Sequence, residues 1–380
     1  MKIALIGTTL FHQGAEYVLA SIARGFSAHG HDVHIILSAL QNDLATEHPD
    51  WKPFDLSKDI TVHVLPCRRA RYSVMPLRRL MNVEHFDVVM NHSAPFALPL
   101  VAASLCMRNR PKIIHVEHLS GVGLDEKGAV IPPKKGLLSL ITNGLMRKFD
   151  AQFAVSDGTA DAITRMTGYP RHKIYTVYNP VIDEVFYKKL SEEPTHPWLK
   201  DTAIPVVIAA GAFCSFKNHM MLLRAWAKVV NKVKARLIIF GEGELRKNYE
   251  SEIKDLGIEN SVSLPGFTNN LPAALKQACC FVVSSTIESF SVVLVEALAS
   301  GTPVVSTKCP YGPPEILQEN GKYGILVENN SENALADGIV RALNGKGLTP
   351  PPESYKRFTI DAIIDRYEQA MNEVCKKHKA

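Results

Sequence analysis

The sequence predicts an α/β fold with two doubly wound parallel-sheet domains in tandem, and three observations carry that expectation. Short aliphatic runs alternate with amphipathic stretches along almost the whole chain. The alternation lapses once, near the middle, and then restarts. The length of 380 residues exceeds what one ordinary core organises.

The first half opens on KIALI (2–6), followed by Ala15, Val18, Leu19, Ile22, Ala23 and Phe26 at helical spacing. DVHIIL (32–37), TVHVL (61–65), DVVM (87–90), KIIHV (112–116), AQFAV (151–155) and KIYTV (173–177) follow as strands. Near-continuous Val/Ile strands separated by helices imply a parallel sheet covered on both faces. Residues 187–204 have no periodicity, so 181–204 reads as a linker between a first domain, 1–180, and a second, 205–355. The second repeats the pattern with PVVIAAG, RLIIF, SVSL, CFVVSS, PVVST and GILV. Residues 356–380 hold a last helix with apolar Ile360, Ile363, Ile364, Tyr367 and Met371, expected to pack back toward the first domain. Ligands of such sheets lie at the strands' carboxyl ends, and a cleft between two such domains is the expected site.

Composition excludes several classes. With 46% hydrophobic and 21% charged residues the chain is that of a soluble globular protein. A net charge of +5 suits an acidic substrate or a lipid surface and is too small to point to nucleic acid. The seven cysteines are scattered and odd in number, with neither zinc spacing nor a disulfide framework, so a reduced cytoplasmic chain is expected. MKIALIG is too short for a secretory signal, and the apolar run 94–107 is broken by Pro95 and Pro99, short of a membrane span. GTTLFHQGAE lacks the G-x-G-x-x-G spacing, GEGELR has two of the three glycines, and no G-x-x-x-x-G-K-[ST] occurs. Dinucleotide dehydrogenases and P-loop NTPases are therefore disfavoured.

SSTIESFSVVLVEALASGTPVV (284–305) carries two carboxylates in an otherwise core-like segment. CFVVSS reads as a strand, TIES as a turn and VVLVEALAS as a helix ended by Gly301, with Pro303 beyond. Glu288 then stands before the helix and Glu296 more than one turn inside it. One reading makes Glu288 a solvated turn residue and Glu296 a salt-bridged helix residue. The other makes both acceptors for ligand hydroxyls, because an unpaired buried carboxylate costs several kcal/mol. The free amides of Phe290, Ser291 and Val292 at the helix start add an anion site worth about 0.3–2 kcal/mol. A phosphate cradle flanked by two hydroxyl acceptors is the outline of a nucleotide-sugar pocket.

ESFSVVLVEALASGTPVVST resembles the Glu-x7-Glu signature of glycosyltransferase family 4, retaining enzymes of the GT-B fold with two tandem Rossmann-like domains. VSDGTADAITRMTGYPRHKIYTVYNPV (155–181), GFTNNLPAALKQACCFVVSS (266–285) and CPYGPPEILQENGKYGILV (309–327) are similar to other family segments in the same order. The resemblance implies that Glu288 binds donor-sugar hydroxyls and Glu296 the ribose. It places Lys217 of GAFCSFKN on the diphosphate, with Ala212 where the family usually has Arg. It places His118 of HVEHLS near the donor sugar; His115 alternates into the strand as a buried residue. Gly14, after Gln13 in place of the usual first glycine, lets backbone approach the diphosphate or acceptor. Gly241 and Gly243 line the nucleotide pocket, and Phe267 borders the base or serves as a core aromatic. Pro314 stands where related sequences often have Arg.

No metal is implied, since the pattern has no Asp-x-Asp or clustered ligands; the resemblance implies a nucleotide-sugar co-substrate, with a UDP-sugar expected. The expected activity is transfer of a hexose or N-acetylhexosamine from a UDP-sugar to a lipid-linked glycan, in surface polysaccharide or oligosaccharide synthesis. A nucleotide-sugar epimerase and a non-catalytic nucleotide-sugar-binding partner are the alternatives. Finally, CRRARYSVMPLRRL (67–80) puts Arg68, Arg69, Arg71, Arg78 and Arg79 among apolar residues. It reads either as a solvated basic loop or as a contact with an anionic membrane, on the inner face of which the enzyme would be peripheral.

Overall fold

The structure, a computed structural model, describes residues 1–11, 14–47, 56–118, 143–201, 203–318, 321–346 and 349–376. Its described residues form two compact units. One takes the chain up to Pro180 and resumes at Ile360; the other is Val181–Thr359.

The first unit is a seven-stranded parallel sheet: β1 (Lys2–Ile6), β2 (Asp32–Leu37), β3 (Thr61–Val64), β4 (Val88–Asn91), β5 (Lys112–Glu117), β6 (Ala151–Ala154) and β7 (Ile174–Thr176). The order is β3-β2-β1-β4-β5-β6-β7. Ile3, in register with both Val33 and Val88, sits at the switch from one winding direction to the other. Ile3, Leu5 and Ile6 are fully buried, each contributing roughly 1.5–3 kcal/mol of burial energy. β3 departs from the doubly covered expectation: it is an edge strand whose Val62 and Val64 are exposed. Around the sheet lie α1 (Gly14–Ala28), α2 (Leu40–Glu47), α3 (Val74–Glu84), α4 (Ala97–Ser104) and α5 (Asp157–Thr167).

The second unit holds α6 (Glu184–Leu190), β8 (Val206–Ala210), α7 (His219–Val230), β9 (Arg236–Phe240), α8 (Arg246–Asp255), β10 (Val262–Gly266) and α9 (Leu271–Gln277). It continues with β11 (Cys280–Val283), α10 (Val292–Ala299), β12 (Val304–Thr307), α11 (Gly312–Leu317), β13 (Ile325–Val327) and α12 (Glu332–Arg341). Its six-stranded order is β10-β9-β8-β11-β12-β13. The core packs Trp226, Leu222, Leu237, Ile239 and Tyr249 together, and the indole N–H of Trp226 donates to Ser261 Oγ at 3.1 Å.

The described residues of 181–204, a stretch the sequence reads as a linker, hold short packed elements of the second unit, Glu184–Leu190 and Pro197–Leu199. Asp183 caps α6 through the Phe186 amide at 2.9 Å, and Phe186 and Leu199 are buried. His196 Nε2 meets Ser263 Oγ at 3.0 Å, and Arg236 lies over the Trp198 ring. The helix is too short, and its buried side chains too far apart, to show as periodicity. The closing helix, α13 (Ile360–Lys376), lies on α1. A Cβ at Gly25 would stand 2.4 Å from Ile364 Cγ1, so only glycine admits the helix at this distance. Phe26 and Tyr367 meet edge to face at 5.7 Å. No helix among the described residues is long and apolar enough to cross a membrane.

Candidate active site

At the carboxyl end of the second sheet three strand-following loops converge. Beyond β8 the chain makes a short turn, Ser215–Lys217, ended by Asn218 in the left-handed region (φ 51°). That turn is fastened to the segment after β11: the Thr286 amide donates to the Phe216 carbonyl at 2.8 Å and Ser284 Oγ to the Lys217 carbonyl at 2.8 Å. Thr307 Oγ1, at the end of β12, donates to the Ser285 carbonyl at 2.6 Å. Glu288 is held by its backbone as well, since its carbonyl accepts from the Gly312 amide at 2.9 Å. A Cβ on Gly312 would stand 2.7 Å from Phe290 Cα, so this loop pair needs glycine there.

This frame brings Lys217 and Glu288 together. The Lys217 ammonium donates to Glu288 Oε1 as an ion pair, and Ser285 Oγ donates to the same oxygen at 3.0 Å. Glu288 is only 3% exposed, which removes the solvated-turn reading. Burial works against the charge on Lys217, but the Glu288 carboxylate outweighs it and leaves the lysine pKa above its ordinary value. Sequence reasoning treated the two as separate ligand contacts; the structure makes them one unit and adds Ser285, which the pattern did not single out. The buried charge of Glu288 therefore has a protein partner.

Glu296 differs. It lies in the second turn of α10, partly buried, and no described residue hydrogen-bonds its carboxylate. Burial raises its pKa to about 7; Lys189 opposes the shift and Asp183 adds to it. The Ser291 side chain does not cap α10, so the first amides of that helix carry no side-chain acceptor from it. Phe290 is buried edge to face against Phe358 at 5.5 Å.

Gly241 and Gly243 have a local explanation. At φ 146° and 155°, their added Cβ atoms would fall 2.0 Å from the Gly211 carbonyl oxygen and 2.6 Å from that of Phe213. They let the β9 loop lie against the β8 loop, where the Phe213 amide donates to the Glu242 carbonyl at 2.8 Å. Ala212 is exposed, and Arg246 on the next helix is committed to Glu242 and Glu250. Phe267, just past β10, is 76% exposed, which rules out the core-aromatic reading.

In the first unit the ends of β1, β4 and β5 meet. Thr8 Oγ1 and Ser93 Oγ share a hydrogen bond of 2.8 Å, and the His92 amide donates to the Ile6 carbonyl at 2.9 Å. His118 Nε2 lies 2.9 Å from His92 Nδ1, with the rings stacked at 5.2 Å. Burial, resisted by Glu117 and reinforced by His115, brings the His118 pKa to about 4. Burial and the neighbouring His118 and His115 push His92 well below its ordinary value. The pair is thus neutral at neutral pH, one ring donating to the other. His115 is buried in the sheet against Asn91 Nδ2 at 3.0 Å. Gly14 opens α1 and is exposed; Gln13 lies outside the described residues. His92 was missed, although NHSAP directly after β4, beside the central strand, was the signal that could have found it.

Two parallel-sheet α/β units, of seven and six strands, are the architecture of a glycosyltransferase of the GT-B fold. The chain belongs to glycosyltransferase family 4: the model "Glycosyltransferase Family 4" matches residues 12–185 and "Glycosyl transferases group 1" matches 192–362. It is 25% identical to the N-acetyl-alpha-D-glucosaminyl L-malate synthase of Bacillus anthracis, over 98% of both chains. It is 32% identical to the Campylobacter jejuni N-acetylgalactosamine-N,N'-diacetylbacillosaminyl-diphospho-undecaprenol 4-alpha-N-acetylgalactosaminyltransferase, over 56% of this chain and 55% of that one. Among solved structures, Anabaena HepE in complex with UDP and glucose has the same fold, with a TM-score of 0.76 at 20% identity, covering 98% of this chain and 100% of that one.

Proposed function

We propose that the enzyme transfers a hexose or N-acetylhexosamine from a UDP-sugar to a lipid-linked glycan acceptor, with retention at the anomeric carbon. The Lys217–Glu288 pair carries this reading. A diphosphate arriving at the start of α10 competes for the Lys217 ammonium, and Glu288, released from it, accepts the hydroxyls of the donor sugar. Donor binding thus exchanges one ion pair for another instead of burying a new charge. Lys217 and the amides of Phe290, Ser291 and Val292 stabilise the diphosphate as the bond from C1 to phosphate oxygen breaks. They supply the positive charge locally, so no metal is required. The acceptor oxygen bonds C1 from the same face and its proton passes to the departing phosphate. Neutral His118 serves the sugar by hydrogen bonding rather than by charge, and Glu296 holds the ribose. Gly241 and Gly243 keep the Lys217 loop in place, Phe267 offers an exposed ring to the base, and Gly14 leaves room at the first loop.

The acceptor class is supported by the Campylobacter relative, whose name specifies a diphospho-undecaprenol substrate, and the donor class by the UDP in HepE. The basic segment fits a peripheral position on the inner face of an anionic membrane. Tyr72 and Met75 are exposed at 61% and 57%, Arg71 lies over the Tyr72 ring, and Arg69 and Arg79 are among the basic residues around them, while Arg68 is committed to Asp43 and Arg78 reaches the Cys106 carbonyl. Mass spectrometry of the purified protein with a panel of nucleotide sugars, with and without polyprenyl-diphosphate acceptors and with EDTA, tests the proposal. Glycosylated acceptor in EDTA supports it. Donor isomerised or consumed without acceptor indicates an epimerase, and no turnover with retained UDP binding indicates a non-catalytic partner.

A further inference from the structure

The carboxyl ends of the first sheet carry His92 and His118; its amino ends carry something else. Where the chain enters β5, β6 and β7 there is a cavity of about 290 Å³, roughly the space of ten waters. Four cations line it, Arg110, Arg147, Lys148 and Lys173, against one carboxylate, Asp150. Asp150 is already used: its Oδ2 accepts from Arg110 Nη1 at 2.8 Å and from the Ile113 amide at 2.9 Å. Arg110 is further held through Nη2 by the Lys148 carbonyl at 2.9 Å, so its guanidinium is fixed before any ligand arrives.

Arg147 is placed by a different device. Its Nη2 donates to the Gly168 carbonyl at 3.2 Å, and a Cβ on Gly168 would stand 2.8 Å from that nitrogen. Gly168, at φ 64°, ends α5 and leaves the guanidinium its room. Lys148 and Lys173 are exposed and pair with no acid among the described residues. Exposed Leu105 and buried Phe149 form the apolar part of the wall. Two guanidiniums held by main-chain carbonyls and two exposed ammoniums around one small cavity form a cationic set suited to phosphate oxygens.

We propose that this cavity is a phosphate-binding site, separate from the donor site, that takes a phosphomonoester or diphosphate group. The phosphate belongs either to a lipid headgroup or to a small molecule in solution. The proposal stands whether or not the donor reading above holds.

Calorimetric titration with inorganic pyrophosphate at low ionic strength tests it in wild type, in Arg147→Gln/Lys173→Gln and in Lys217→Ala. Both substituted cavity side chains are exposed, so folding is expected to survive, and a thermal melt of the double variant checks this. Lys148→Gln is a milder second variant. The expected result is an affinity about 10-fold or more weaker in the double variant, a smaller loss in Lys148→Gln, and an affinity kept in Lys217→Ala. Equal affinity in wild type and the double variant, or loss confined to Lys217→Ala, overturns the proposal. So does the absence of any pyrophosphate binding. Co-sedimentation with phosphatidylcholine vesicles, with and without phosphatidic acid, then separates the sources. Dependence on both phosphatidic acid and the Arg147/Lys173 pair assigns a headgroup; pyrophosphate binding without that dependence assigns a free phosphate.

Discussion

The two sheets present opposite electrostatics at their carboxyl ends. In the second unit a buried carboxylate is neutralised by a half-buried ammonium; in the first, two imidazoles are stripped of charge by burial and bond one another. Both arrangements answer the same need, since polar groups taken out of water need partners, although His92 Nε2 stays buried without one among the described residues. They leave different chemistry available. The Lys217–Glu288 pair can redistribute charge when an anion arrives, whereas the His92–His118 pair can only offer or accept a hydrogen bond at neutral pH.

The contrast is broken hardest by removing one member of the charged pair. Lys217→Ala leaves Glu288 buried and unpaired and is expected to cost about 3–5 kcal/mol of stability, with turnover down at least about 10- to 150-fold. The double variant Lys217→Met/Glu288→Leu should recover most of the stability and none of the activity. Chemical denaturation beside a donor-turnover assay reads both, and a stable, fully active Lys217→Ala would sink the site assignment. Gly241→Ala comes next, at roughly 2–3 kcal/mol, because the new methyl meets the Gly211 carbonyl oxygen and the backbone has nowhere to retreat. Its Lys217 loop should also loosen, seen as faster amide exchange at Phe213 and Lys217.

The neutral pair predicts a smaller and differently shaped effect. His118→Asn should lower kcat about 10- to 100-fold by removing a hydrogen bond to the transition state. Because the His118 pKa is about 4, the pH–rate profile of wild type should show no limb from this group between about pH 6 and 8. A limb near pH 6.5 that disappears in His118→Asn would show that the ring titrates after all.

Glu296 sharpens the comparison most gently. Its folded pKa of about 7 stands above the ordinary 4.5, so the folded chain holds a proton that the unfolded chain has released. Stability therefore falls as pH climbs from 4.5 through about 7. Glu296→Gln removes that slope: at about pH 8 the variant should be about 1–2 kcal/mol more stable than wild type, and equal to it near pH 4. The same change should raise the donor's apparent KM more than it lowers kcat, the mark of a contact equal in ground and transition states. A variant that melts lower at pH 8 would mean the carboxylate has a partner in the folded state.

How much of this was legible depended on distance along the chain. Strands such as KIALI and RLIIF announce themselves because both faces are buried, and the spacing of Glu288 and Glu296 is local to one turn and one helix. The Lys217–Glu288 pair spans 71 residues of sequence, and nothing in either segment specifies the other. Gly241 and Gly243 read as ligand glycines, and their other demand, room for the neighbouring loop's carbonyls, is visible only once β8 and β9 are side by side. Residues 181–204 hid a helix because Asp183, Phe186 and Leu199 act singly rather than as a stripe. His92 sits one residue past a strand whose buried side chains drew attention to the core instead.

The seating of Ile364 against Gly25 has a consequence for how the protein is made. The second unit is an insertion between Pro180 and Ile360 of the first, so the first unit to leave the ribosome is the last to be completed. Until Ile360–Lys376 emerges, the face of α1 that receives Ile364 and Tyr367 stays open to water and to other chains, while Val181–Thr359 can already close on itself. A stop codon at Ile360 itself would therefore leave Val181–Thr359 whole and the first unit permanently unfinished.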